Sequence, residues 1–139
     1  MSVDFADLKI ANVTGWGCGL DLAVDFDDVE NTGITVGIRR DKDNALFILV
    51  QREYDQPNKE RDYDFVQLFE PFDEGTLRLV RRGGKIYAIA AADGQRQRVI
   101  GSFTVGAKMV SMFSVVAKSA TDTSELDAVV KNMSVKLAQ

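Results

Sequence analysis

The chain has 139 residues, 17 basic and 21 acidic side chains, a formal net charge of −4 and no histidine. Hydrophobic residues make up 45% and charged residues 27%, the composition of one folded domain and not of a disordered chain. With no histidine and with Cys18 as the single cysteine, Ser–His–Asp and Cys–His nucleophilic sites, histidine-ligated zinc and an internal disulfide are excluded.

Residues 1–7 have neither the positive segment nor the apolar run of a signal peptide. The longest apolar run, 45–50, is too short to cross a bilayer, so no membrane span is expected. Gly15-Trp16-Gly17-Cys18-Gly19 precedes a strand pattern and not a helix, which rules out a dinucleotide-binding loop. Cys18 is expected as a small packed residue beside its two glycines.

Period-two alternation begins at Leu20: Leu20, Leu22, Val24 and Phe26 share one face, with Asp21, Ala23, Asp25 and Asp27 on the other. Ile34, Val36 and Ile38 repeat it, with Thr35, Gly37 and Arg39 opposite. A turn at Asp41-Lys42-Asp43-Asn44 leads into the continuous apolar strand 45–50, expected to be central and covered on both sides. A polar loop at 56–60 precedes a strand at 65–69. Gly83-Gly84 between 77–82 and 85–90 predicts a two-residue hairpin that sets Arg82 against Lys85, Val80 against Tyr87 and Arg78 against Ile89. A second turn at Asp93-Gly94 leads to a strand at 98–104, and further strands follow at 109–116 and 129–137. Between these last two lies a polar loop at 118–125, with a short helical turn expected around 124–127, capped by Ser124. Eight or nine short strands without a long helix predict an all-β, antiparallel two-sheet β-sandwich, jelly-roll-like. It forms a single domain over 1–139, of a size that also serves as a module of a larger protein.

Three stretches carry a resemblance to a known superfamily. Gly37-Ile38-Arg39-Arg40-Asp41-Lys42-Asp43-Asn44 before an apolar strand resembles the paired-strand region of the concanavalin A-like lectin/glucanase superfamily. Leu77-Arg78-Leu79-Val80-Arg81-Arg82-Gly83, Tyr87 and Asp93-Gly94 are similar to the central meander of its non-catalytic members, the laminin-G-like modules and bacterial domains of unknown function. The segment 126–135 resembles their last strand, which returns beside the first. The resemblance implies a carbohydrate or glycoconjugate ligand, neighbouring domains of a larger exported protein as further partners, and an extracellular or cell-envelope location. The E-x-D-x-x-E cluster of the catalytic glucanases is absent, and Gln95-Arg96-Gln97 stands where such meanders often carry an aromatic.

The hairpin register places Arg78, Val80, Arg82, Tyr87 and Ile89 on one side, mixing an aromatic platform with hydrogen-bond donors suited to a sugar ring. Trp16, Tyr54, Tyr63 and Phe72 are candidate further platforms from loops. Asp25, Asp27 and Asp28, with Glu30 and Asn31, form a candidate oxygen-ligand set for calcium, although the spacing is not that of an EF-hand. Asp25/Asp27 and Asp62/Asp64, with Glu70 or Glu74, are the candidate carboxylate pairs for glycoside hydrolysis. The arginines of 77–98 invite a nucleic-acid reading, but the net charge opposes capture of a polyanion, and cross-strand pairing with acids is expected instead. The expected role is a non-catalytic recognition module binding carbohydrate on one sheet face. The alternatives are a structural or self-association module and a glycosidase using paired aspartates.

Overall fold

The computed structural model describes residues 1–15, 17–43, 45–70, 72–119 and 123–136. Among the described residues there are ten strands: β1 (Ser2–Ala11), β2 (Cys18–Asp27), β3 (Gly33–Arg40), β4 (Leu46–Asp55), β5 (Arg61–Phe69), β6 (Gly75–Arg82), β7 (Lys85–Ala92), β8 (Arg98–Thr104), β9 (Met109–Lys118) and β10 (Glu125–Ser134). They form two five-stranded sheets, ordered β10-β1-β6-β7-β8 and β5-β4-β3-β2-β9, with every pairing antiparallel. No helix is long and apolar enough to cross a membrane among the described residues.

The alternation read from the sequence builds the core. Leu20, Leu22 and Val24 of β2, Ile34, Val36 and Ile38 of β3, and Ile48 and Val50 of β4 face Val3, Phe5, Leu77, Leu79, Ile86, Ala88 and Ala90 of the opposite sheet. Each fully buried aliphatic side chain contributes roughly 1.5–3 kcal/mol by leaving water. Phe72 belongs to this core and not to a binding platform: it is buried, and its ring lies 6.0 Å from that of Phe5.

The Gly83-Gly84 hairpin has the predicted register, with Arg82 opposite Lys85, Val80 opposite Tyr87 and Arg78 opposite Ile89. Gly83 has φ +57°, the left-handed conformation that such a turn needs. Two features differ from expectation. Residues 2–11 form a strand that pairs with both β6 and β10, although no alternation marks it. Asp7 is the reason: its φ of 53° and the accompanying bulge put Ala6 and Leu8 into the core after Val3 and Phe5. At 124–127 there is no helical turn. β10 already begins at Glu125, held by its ladder to Ala11, and the Ser124 hydroxyl donates to the Asn12 carbonyl at 3.2 Å.

Candidate functional site

The second sheet places alternate residues of five strands on an outward face. Its registers align Ser114, Ala23, Thr35, Gln51 and Phe65 in one cross-strand row, and Val116, Asp21, Gly37, Leu49 and Gln67 in the next. Beyond these lie a row with Gly19, Arg39, Phe47 and Phe69 and a row with Asp25, Gly33, Glu53 and Tyr63. Arg39, Phe47, Leu49, Gln51, Tyr63, Phe65 and Gln67 line a recess of about 410 Å³ on this face.

Phe47 and Leu49 are only 2% and 5% exposed, although they point away from the other sheet. The strand 45–50 is therefore covered on both sides as expected, and its outer cover is the recess wall. Phe69 of β5 tilts against Phe47, with ring centroids 5.7 Å apart. Phe65 and Tyr63, on the same edge strand, remain 57% and 49% exposed and offer aromatic surface to a ligand.

At one end of the floor lies an ion pair. The Asp21 carboxylate is fully buried and accepts from Arg39 Nε at 3.1 Å and from Arg39 Nη2, with Lys118 Nζ 3.7 Å away. Gly37 makes this possible, since a Cβ there would stand 2.0 Å from Asp21 Oδ1. At the other end, Asp25 Oδ1 and Glu53 Oε1 converge over Gly33, at 2.9 and 3.0 Å from where its Cβ would be. Arg61 neutralises Glu53 from 3.3 Å. Burial, and next the charge of Glu53, push the Asp25 carboxyl above its ordinary pKa. Between these ends the polar groups are neutral and open to solvent. Thr35, Gln51 and Gln67 make no side-chain hydrogen bond among the described residues, although Thr35 is only 6% exposed.

The residues singled out from sequence do not assemble into one site. Among the described residues, Tyr63 alone of the predicted ligand residues lines this recess. Arg78, Arg82 and Tyr87 lie together, with Val80 and Ile89, on the outward face of the other sheet, since Leu79 and Ala88 on the same strands are buried in the core. Tyr54 points to the opposite side of β4 from Glu53 and Tyr63. There Arg52 lies 4.7 Å over its ring, and its hydroxyl donates to Asp62 at 3.4 Å. Trp16 lies outside the described residues.

The acidic candidates have other occupations. Asp28 accepts from Lys108 and from the amide and hydroxyl of Thr32, both at 2.8 Å, while Glu30 also pairs with Lys108 and Asn31 donates to Asp55. Asp25, Asp27 and Asp28 are not gathered into an oxygen cluster, and among the described residues no group of three or more His, Cys, Asp or Glu is placed to hold a metal ion. Asp62 accepts from Gln56, and Asp64 pairs with Arg52. Glu70 and Glu74 pair with Arg98 and Lys131. In the basic meander Arg98 alone meets a carboxylate among the described residues. Arg81 instead donates to the carbonyls of Gly83, Gly106 and Lys108, which pins the β6–β7 turn to the β8–β9 turn. Cys18 is fully buried, and burial raises its thiol pKa.

No local motif marks Thr35, Gln51, Gln67 or the Asp21–Arg39 pair. Their alternation was visible, but the register that lines up β3, β4 and β5 depends on pairing across loops.

Two antiparallel sheets, one with a recessed outward face, define a jelly-roll-like β-sandwich domain. The chain belongs to the family described as "Protein of unknown function (DUF1583) C domain", whose family model matches residues 1–136. No curated protein and no solved structure matches it.

Proposed function

We propose that this domain is a non-catalytic recognition module that binds a carbohydrate or glycoconjugate on the outward face of the β5-β4-β3-β2-β9 sheet. One observation carries the reading: the recess sets the neutral, solvent-open amides of Gln51 and Gln67, with Thr35 next to Gln51 in the same cross-strand row, between Leu49 below and Phe65 and Tyr63 at the side. A sugar ring presents hydroxyls at its rim and C–H groups on its face, so it matches amides and a hydroxyl beside an aromatic wall. A hydrogen bond that replaces one to water is worth about 0.5–1.5 kcal/mol net, so several together give specificity to a shallow site. The resemblance of the sequence to non-catalytic members of the concanavalin A-like lectin/glucanase superfamily supports the same ligand class and an extracellular or envelope setting.

The test is a glycan-array screen of the labelled domain, run with calcium and again with EDTA, beside Gln51→Ala and Phe65→Ala. Defined hits are expected under both conditions, because Lys108 already occupies Asp28. Each variant is expected to weaken them by about tenfold or more. A blank array under both conditions, or hits unaltered in both variants, would overturn the reading.

A further inference from the structure

The outward face of the β6-β7-β8 half of the first sheet carries cations and no acid. Arg78, Arg82 and Lys85 are exposed there, and among the described residues none of them pairs with a carboxylate. Arg78 meets only the Gln97 amide oxygen, at 3.5 Å. Acidic partners are scarce because from Gly75 to Lys118 the chain has eight basic residues and Asp93 as its one acid. The same cross-strand rows set an apolar strip between the cations. Val80 lies opposite Tyr87, and Ile89 lies opposite Val99, which is 59% exposed. Ser102 and Thr104 extend the rows on β8. On the same side of β1, Asp4 is engaged by the Thr76 hydroxyl at 2.7 Å. Glu125 and Asp127 lie beside Ala11 and Lys9, past the Gly75 end of β6.

We infer that this face docks on a membrane surface rich in anionic lipid headgroups, without crossing it. Charge complementarity selects an anionic partner, since three exposed cations stand without carboxylates. The apolar strip selects a lipid surface over a soluble polyanion. A polyanion would meet Arg78 and Arg82, about 13 Å apart along β6, and leave the strip between them in water. Headgroup phosphates meet the cations, while Val80, Ile89 and Val99 reach the boundary with the acyl chains. Tyr87 belongs at such a boundary, with an apolar ring and a polar tip. The net charge of −4 does not oppose this docking. Asp25, Asp27, Asp62 and Asp64 belong to the second sheet, about 10 Å behind the first. At physiological salt the screening length is about 8 Å, so those acids are screened while Arg78, Arg82 and Lys85 touch the surface. The recess opens on the opposite outward face, so a docked domain turns it away from the membrane.

Co-sedimentation of the intact chain with vesicles tests this, comparing phosphatidylcholine alone with phosphatidylcholine carrying about one third phosphatidylglycerol. Binding to the mixed vesicles alone is expected at about 0.1 M salt, with its loss near 1 M, where the screening length falls to about 3 Å. Each cation is worth about fivefold, so Arg78→Gln is expected to bind about fivefold more weakly and Arg82→Gln/Lys85→Gln about 25-fold. Circular dichroism confirms the fold of each variant. Equal binding to both vesicle types overturns the inference, as does a folded double variant that binds like the wild type. Binding to duplex DNA without binding to mixed vesicles overturns it too. Where a variant fails to fold, the salt series on the wild type decides, and salt-independent binding overturns the inference. Gln51→Ala and Phe65→Ala, on the other sheet, are expected to bind vesicles like the wild type, so this inference and the glycan reading fail separately.

Discussion

Asp21 is completely buried on a sheet face that points away from the core, and Arg39 holds it there through two hydrogen bonds from neighbouring β3. A lone buried carboxylate is costly, so the pair stands or falls together. Asp21→Ala leaves a guanidinium that is only 11% exposed without its carboxylate, and is expected to cost about 3–5 kcal/mol. Replacing both residues, as Asp21→Leu with Arg39→Met, is expected to cost less than Asp21→Ala alone. Urea denaturation of Asp21→Leu, Arg39→Met and the double variant, with Asp21→Ala beside them, checks this. Additive costs would show that the ion pair does not couple the strands.

Gly37 is the residue that lets the pair sit flat on the floor. In Gly37→Ala the new Cβ would stand 2.0 Å from Asp21 Oδ1, so the carboxylate must shift against Arg39 and the recess changes shape. The expected cost is about 1–3 kcal/mol together with weakened ligand binding. Gly94→Ala is the contrast. Its Cβ meets nothing within 4 Å, but φ is +67°, so it is expected to cost about 1–2 kcal/mol and leave binding unaltered. Calorimetry of folding and of binding on both variants separates strain in a distant turn from damage to the floor.

The clasp between Asp28 and Lys108 joins the β2–β3 turn to the β8–β9 turn and makes stability depend on pH. Burial works against ionisation of Asp28, but the Lys108 ammonium and the Thr32 amide and hydroxyl outweigh it and hold the carboxyl below its ordinary pKa. A depressed folded-state pKa gives stability that is present above the unfolded value near 4 and is lost as pH falls through the folded value. The stability gap between wild type and Lys108→Met is therefore expected to be full near neutrality and to shrink on acidification. Asp25 works in the opposite sense, because burial and Glu53 raise its pKa. Its ionisation costs stability as pH rises from about 4 through the raised folded value, so Asp25→Asn is expected to gain on the wild type above that window and lose the gain below it. Urea midpoints between about pH 3 and pH 7 check both, and gaps that do not vary with pH would contradict them.

Much of this fold is legible in the sequence because its strands are half-buried and alternate cleanly. Leu20, Leu22 and Val24 pack inward as their spacing requires, and Gly83-Gly84 sets the β6–β7 register without help from elsewhere. β1 is hidden because Asp7 breaks its period: a bulge moves the buried set from Val3 and Phe5 to Ala6 and Leu8. The recess is harder to read. Thr35, Gln51 and Phe65 come from three strands, and only the pairing of those strands makes them neighbours. The hairpin face with Arg78, Arg82 and Tyr87 is readable because the Gly83-Gly84 turn fixes its register locally. Tyr54 and Tyr63 look equivalent in sequence, but Tyr63 pairs with Glu53, the neighbour of Tyr54 on β4, so the two rings fall on opposite sides of the sheet.

The most direct test of the recognition face is an amide NMR titration of the domain with a sugar that it binds on the array. Perturbations are expected to cluster at Thr35, Gln51, Tyr63, Phe65 and Gln67 and, in Gln51→Ala, to need about tenfold more sugar. Perturbations centred instead on Arg78, Arg82 and Tyr87, on the outward face of the other sheet, would contradict the account.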